Sequence, residues 1–119
     1  MNDRNWTAVE LKNVVVIKLH GEMDMSNSPH LKNFVKDTYI NVGKSNIIMD
    51  LSDVDYIDSS ALGALLGLQR AARLNGGSLV LCGLHDNLKR IFKITSLEGV
   101  FKIYSSVEEA LKFFLEGNG

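Results

Sequence analysis

Apolar and polar positions along the chain divide it into short apolar runs and stretches with helical spacing. Residues 7–19, TAVELKNVVVIKL, hold two strand-like runs parted by Lys12-Asn13, a pair that suits a tight turn. A β-hairpin is predicted, its second strand ending at His20-Gly21. The next segment, GEMDMSNSPH, reads as a polar loop with a helix start built in. Ser28 serves there as N-cap and Pro29 takes the first helical position, where its missing N–H costs nothing. Leu31, Phe34, Val35 and Tyr39 follow helical spacing, and Gly43 marks the stop.

The remaining pattern alternates in the same way. Residues 47–51, IIMDL, are a short apolar run that fits a buried strand, and an acidic corner follows it. A helix is predicted from about Ser59 to Leu74, ended by Asn75-Gly76-Gly77. SLVLC (78–82) reads as another buried strand. Leu84, Leu88, Ile91 and Phe92 give a helix with one apolar face, and VFKIY (100–104) a last strand. Ser106-Val107-Glu108-Glu109 forms a capping box, with Glu109 reaching back, ahead of a final helix carrying Ala110, Leu111, Phe114 and Leu115. The order β-β-α-β-α-β-α-β-α implies an α/β fold: a mixed sheet with an initial hairpin, βαβ units and about four packed helices. Sites in such sheets lie beyond the carboxyl ends of strands. That places Asp53–Ser60 at one such end and the loop Gly21–Asp24 at another.

Composition narrows the function. The 119 residues make one ordinary domain, read as 1–119, large enough to bury roughly two-thirds of its unfolded surface. A net charge of −1 argues against a general nucleic-acid binder, which needs a basic face. The single cysteine, Cys82, has no internal partner and reads as a small buried hydrophobe. The polar start MNDRNW lacks a signal-peptide core, and no apolar run reaches the length of a membrane span, so a cytoplasmic protein without membrane contact is expected.

The candidate chemistry concentrates in DVDYIDSSALGALLGLQR (53–70). Asp50, Asp53, Asp55 and Asp58 recur without the spacing of an EF-hand, so a solvated loop with a helix cap is expected and no metal or other cofactor. Asp58 or Ser59 would accept first-turn N–H groups, a cap worth about 1 kcal/mol. One cap leaves the second hydroxyl unexplained. A serine nucleophile lacks both G-x-S-x-G and an evident histidine base, since His20, His30 and His85 look isolated, so no enzyme is expected. Gly63 and Gly67 share a helix face, and each costs about 1 kcal/mol against alanine. Close packing within the fold explains them best; approach by a partner is the alternative.

The segment DLSDVDYIDSSALGALLG resembles the signature of STAS domains, specifically bacterial anti-sigma factor antagonists. VVVIKLHGEMD is similar to the family's second strand and Gly-Glu-x-Asp turn, and NGGSLVLCGLHDNLKRIFKITSLEGVFKIYSSVEEAL resembles its C-terminal half. The resemblance implies the STAS fold and a partner switch. By position, Ser59 is the phosphoacceptor of a cognate anti-sigma factor that is a serine kinase, and a PP2C-type phosphatase reverses the modification. The unphosphorylated form binds the kinase and frees the sigma factor. Asp24, Asp58, Ser60, Ala61, Leu62, Gly63, Leu66 and Gly67 are the partner-binding residues implied. The family's usual glycine after the serine pair is Ala61 here. A monomer or weak homodimer is expected.

Two other functions fit part of the pattern. A STAS subunit or scaffold of another complex, such as a lipid-transport ATPase, would share the fold. A receiver domain would share length and β/α alternation, but it needs a late Lys-Pro, and Pro29 is the only proline.

Overall fold

The computed structural model describes residues 5–118, with side chains to Glu116; the opening MNDR lies outside them. Five strands form one sheet in the order β1-β2-β3-β4-β5. β1 (Trp6–Leu11) and β2 (Val14–Met23) pair antiparallel around the Lys12-Asn13 turn. β3 (Asn46–Ile57), β4 (Ser78–Cys82) and β5 (Ile103–Tyr104) then add in parallel. The connections are α1 (Ser28–Thr38), α2 (Ser59–Leu74) and α3 (Asp86–Ile94), and α4 (Val107–Phe113) closes the chain with a wide π-type turn over Phe114–Asn118. This strand order never doubles back among its parallel members, unlike the 2-1-3-4-5 order of receiver-like sheets.

Parallel strands added in one direction through right-handed crossovers place their helices on a single face. The main core accordingly packs Leu31 and Val35 of α1, Leu65 and Leu68 of α2, and Leu88 and Phe92 of α3 onto Ile17, Ile47, Met49, Leu79 and Leu81. Full burial of each such side chain is worth roughly 1.5–3 kcal/mol. The opposite face is covered by α4, where Ala110 meets Val14, Ile48, Val80 and Cys82. No helix among the described residues is long and apolar enough to cross a membrane.

Several local expectations are corrected. β2 does not stop at His20-Gly21; it follows β3 to Met23, with irregular register between Lys18 and His20 and between Gly21 and Glu22. Gly21 has φ +75°, a conformation that glycine adopts without a Cβ penalty. The acidic corner after Leu51 is likewise strand, because Val54 and Ile57 turn inward and the β2 ladder takes its backbone groups. VFKIY yields only Ile103–Tyr104, since the N–H groups of Val100 and Phe101 bond back to the Leu97 carbonyl. α1 stops at Thr38, and a 3-10 turn over Ile40–Val42 carries the chain to Gly43. At α4, Ser106 Oγ accepts the Glu109 N–H as expected, while the Glu109 carboxylate accepts from Lys112 rather than reaching back.

Candidate functional site

The carboxyl ends of β2 and β3 run side by side to one edge of the sheet, where Met23 pairs with Ile57. The Asp58 N–H donates to the Met23 carbonyl at 3.1 Å, so the start of α2 is stitched to the loop that begins at Asp24. Asp58 is the N-cap of α2. Its Oδ1 accepts the Ala61 N–H at 2.9 Å and the Ser60 hydroxyl at 2.7 Å. Its Oδ2 accepts the Met25 N–H at 3.1 Å from across the site. The Ala61 N–H, with the Ser60 hydroxyl next, holds the Asp58 carboxyl below the usual carboxylate range, so it is an anion at neutral pH.

The facing loop is built by its own polar groups. Asp24 Oδ1 accepts from both the N–H and the hydroxyl of Ser26. Asn27 accepts the Asp24 N–H through its side-chain oxygen and donates to the Glu22 carbonyl. These bonds fold residues 22–28 into a compact turn and leave Met25 at its tip, 73% exposed. Ser28 does not cap α1; the N-cap position belongs to Asn27. The Ser28 hydroxyl, only 1% exposed as a residue, instead lies 3.2 Å from that of Ser60. The sequence reading missed Ser28 and Met25 as parts of the site. A serine before proline reads as a cap, and only the docking of α1 on α2 shows its hydroxyl facing another.

The two adjacent serines are therefore unlike. Ser60 is half-buried and engaged by Asp58 and Ser28. Ser59 is exposed, and its hydroxyl makes no hydrogen bond among the described residues. In the first turn the Asp58 side chain takes the Ala61 N–H, and its carbonyl takes that of Leu62. Part of the anion-binding capacity of this helix start is thus already used by its own cap.

The other implied residues separate into two groups. Ala61 and Leu62 are buried in the core, so they support the site from beneath and offer no surface. Alanine fits at 61 because the position is ordinary helix, not a left-handed turn. Gly63, Leu66 and Gly67 lie outward along α2, with Leu66 and Gly67 half-buried. Packing within the fold does not explain Gly63: a Cβ there would meet nothing within 4 Å. At Gly67 the Lys32 side chain crosses close above, its ammonium 2.8 Å from where a Cβ would stand.

The remaining acids and histidines go elsewhere. Asp50 is buried on the α4 side of the sheet and accepts the Ser52 N–H. Asp53 pairs with Lys18 at 3.3 Å and lies 3.7 Å from His20. His85 hydrogen-bonds the Val54 carbonyl. No three His, Cys, Asp or Glu residues converge as a metal site among the described residues.

Comparison with known proteins identifies the family. The STAS domain family model matches residues 5–110. The chain is 35% identical over 85 residues to the anti-sigma-B factor antagonist of Listeria monocytogenes, covering 70% of this chain and 72% of that one. The crystal structure of a proposed anti-sigma factor antagonist from Thermotoga maritima superposes with a TM-score of 0.86 at 28% identity, over 90% of this chain and 92% of the other. The Bacillus cell fate determinant SpoIIAA in its phosphorylated form shares the fold, with a TM-score of 0.73 at 24% identity over 92% and 98% of the two chains. The chain belongs to the STAS domain family, within its anti-sigma factor antagonists.

Proposed function

We propose that this STAS chain is an anti-sigma factor antagonist switched by phosphorylation of Ser59. In its unmodified state it binds a cognate anti-sigma factor, a serine kinase, in the cytoplasm and releases the sigma factor. The kinase transfers the γ-phosphoryl group of ATP to the Ser59 oxygen, the hydroxyl proton leaves, and ADP is the by-product. A PP2C-type phosphatase hydrolyses the ester and restores binding. The observation that carries this reading is the contrast at the start of α2: Ser59 is exposed with an unengaged hydroxyl, whereas Ser60 is tied down.

The switch follows from electrostatics. A phosphate adds about −1.5 to −2 charges. Asp58 already takes the N–H groups of Ala61 and Leu62, so the phosphate gains the positive end of the helix but fewer free donors. It stands out from the surface beside the Asp58 carboxylate, with Asp24 in the facing loop. A partner packing over Gly63 and Leu66 would have to desolvate that charge, at a cost of several kcal/mol. A loss of about 3–4 kcal/mol lowers affinity by a factor of hundreds. No change in the fold is required.

The test uses the purified kinase with ATP, followed by mapping of the modified residue and calorimetry of the variants. Ser59→Ala is expected to bind as tightly as the wild type and to take no phosphate. Ser59→Glu is expected to bind far more weakly. Equal affinity for both variants and the wild type would sink the reading. Capture of transporter subunits in place of a kinase would assign the chain to a different STAS complex.

A further inference from the structure

A hollow of about 730 Å³ opens along the outer face of the C-terminal half of α2, lined by Leu66, Gly67, Gln69, Arg70, Arg73 and Leu74. A second hollow of about 270 Å³ shares Gln69 and Arg73 with it and continues past Val100 to Lys102. The buried Gln69 amide joins the two by donating to the Val100 carbonyl at 2.7 Å. Every charged side chain lining either hollow is cationic. Lys32 adds a further ammonium beside Gly67. Neither arginine nor Lys32 forms an ion pair among the described residues. The apolar part is unusually open, with Leu74 77% exposed.

We infer that this groove is a second anchoring point on the antagonist and takes an acidic amphipathic segment of the anti-sigma factor. The inference rests on the partner reading above and extends it to the chemistry of the bound element. Charge complementarity selects the acid: unpaired guanidinium groups on a surface attract carboxylates and hold them in bidentate geometry. The leucines select an amphipathic element, which can set apolar side chains between the charges.

Continuity selects the partner. Gly63, Leu66, Gly67 and Arg70 each stand three or four residues beyond an earlier member of a set that starts at Ser59, so the five form one stripe along α2. A protein lying over Gly63 and Leu66 reaches Arg70 without a break. Arg70 stands eleven residues beyond Ser59, roughly 16 Å along the helix. A nucleic acid is a poorer occupant, because its extension along the same stripe would meet Asp58 and Asp24 and would leave the leucines uncovered. The surface is thus two-ended. The acidic end carries the switch, and the basic end draws the partner in, which affects association rate and salt dependence more than contact area.

Binding kinetics to the immobilised cognate anti-sigma factor test this, at several salt concentrations, with wild type, Arg70→Glu/Arg73→Glu and Ser59→Glu. The double reversal is expected to slow association by about tenfold and to flatten its salt dependence. Its melting temperature should match the wild type, since both side chains are exposed and unpaired. Arg70→Gln/Arg73→Gln should fall between the two. Unchanged rates and salt slopes in the double reversal would overturn the groove's role, and loss of binding in Ser59→Glu would still leave the switch standing. Failure of the wild type to bind the anti-sigma factor would overturn both. Binding of single-stranded DNA or phosphatidylglycerol vesicles that depends on these arginines, or self-association that does, would assign the groove to another occupant and overturn the proposal.

Discussion

The Ser60 hydroxyl donates to the Asp58 carboxylate at 2.7 Å, and the hydroxyl of its neighbour Ser59 makes no such bond among the described residues. One helix cap thereby sorts two adjacent serines, holding the second and leaving the first exposed. Ser60→Ala is expected to be phosphorylated on Ser59 as readily as the wild type. It should lose about 1 kcal/mol of stability, the ordinary worth of one hydrogen bond. Tandem mass spectrometry of the kinase-treated proteins checks the first point, and recovery of the phosphate on Ser60 in the wild type would contradict it. Urea unfolding checks the second.

Asp58 links stability to pH. Its carboxyl lies below the ordinary 3.8 because the Ala61 N–H and the Ser60 hydroxyl stabilise the anion. The unfolded chain therefore takes up this proton at higher pH than the folded one. The contribution is complete well above 3.8 and is lost as pH falls through the folded value. Urea midpoints followed from pH 6 to pH 3 should drop for the wild type, and Asp58→Asn should drop less. Asp58→Ala should cost about 1–2 kcal/mol at pH 7 through loss of the cap. Identical acid profiles for wild type and Asp58→Asn would remove Asp58 from the account.

Two glycines of similar appearance should respond in opposite ways. A Cβ at Gly63 meets nothing within 4 Å, so Gly63→Ala should stabilise the protein by up to about 1 kcal/mol. The same methyl should weaken partner binding, because it stands on the surface proposed for the partner. A Cβ at Gly77 would come within 2.1 Å of the Ser45 carbonyl oxygen, and that backbone cannot yield cheaply. Gly77→Ala should therefore cost about 3 kcal/mol or more. Thermal melts and calorimetry separate the cases. A Gly63→Ala variant that binds normally would remove this glycine from the interface.

Cys82 should be chemically silent. It is fully buried, and burial first, then the charge of Asp50, pushes its thiol up to about 12. Iodoacetamide at pH 8 should label it only as fast as the protein opens, and at once in strong urea. Labelling of the native protein at the rate of a free cysteine would show that the β4 region opens readily.

The elements set by neighbouring residues were legible. Lys12-Asn13 turns the hairpin, Asn75-Gly76-Gly77 ends α2, and Ser106 caps α4, because each uses side chains within a few positions of the backbone they serve. The run SLVLC was legible for the same reason, being apolar throughout and bounded by turn residues. The ends of β2 and β3 were not. Glu22, Asp53 and Tyr56 look like loop residues, and only the pairing of the two strands gives them partners across the ladder.

The site divides along the same line. Local sequence was enough to specify a helix start with two hydroxyls, a run of acids before it and two glycines beyond it. Tertiary structure decided that Asp58 outcompetes Ser59 as the cap, that Ser60 is held, that Ala61 and Leu62 point inward, and that Gly63 is left open. The physical reason is distance along the chain. Ser28 lies 32 residues from Ser60 and Met25 lies 33 from Asp58. No local pattern records which hydroxyl a distant helix will meet once the sheet has brought the two ends together.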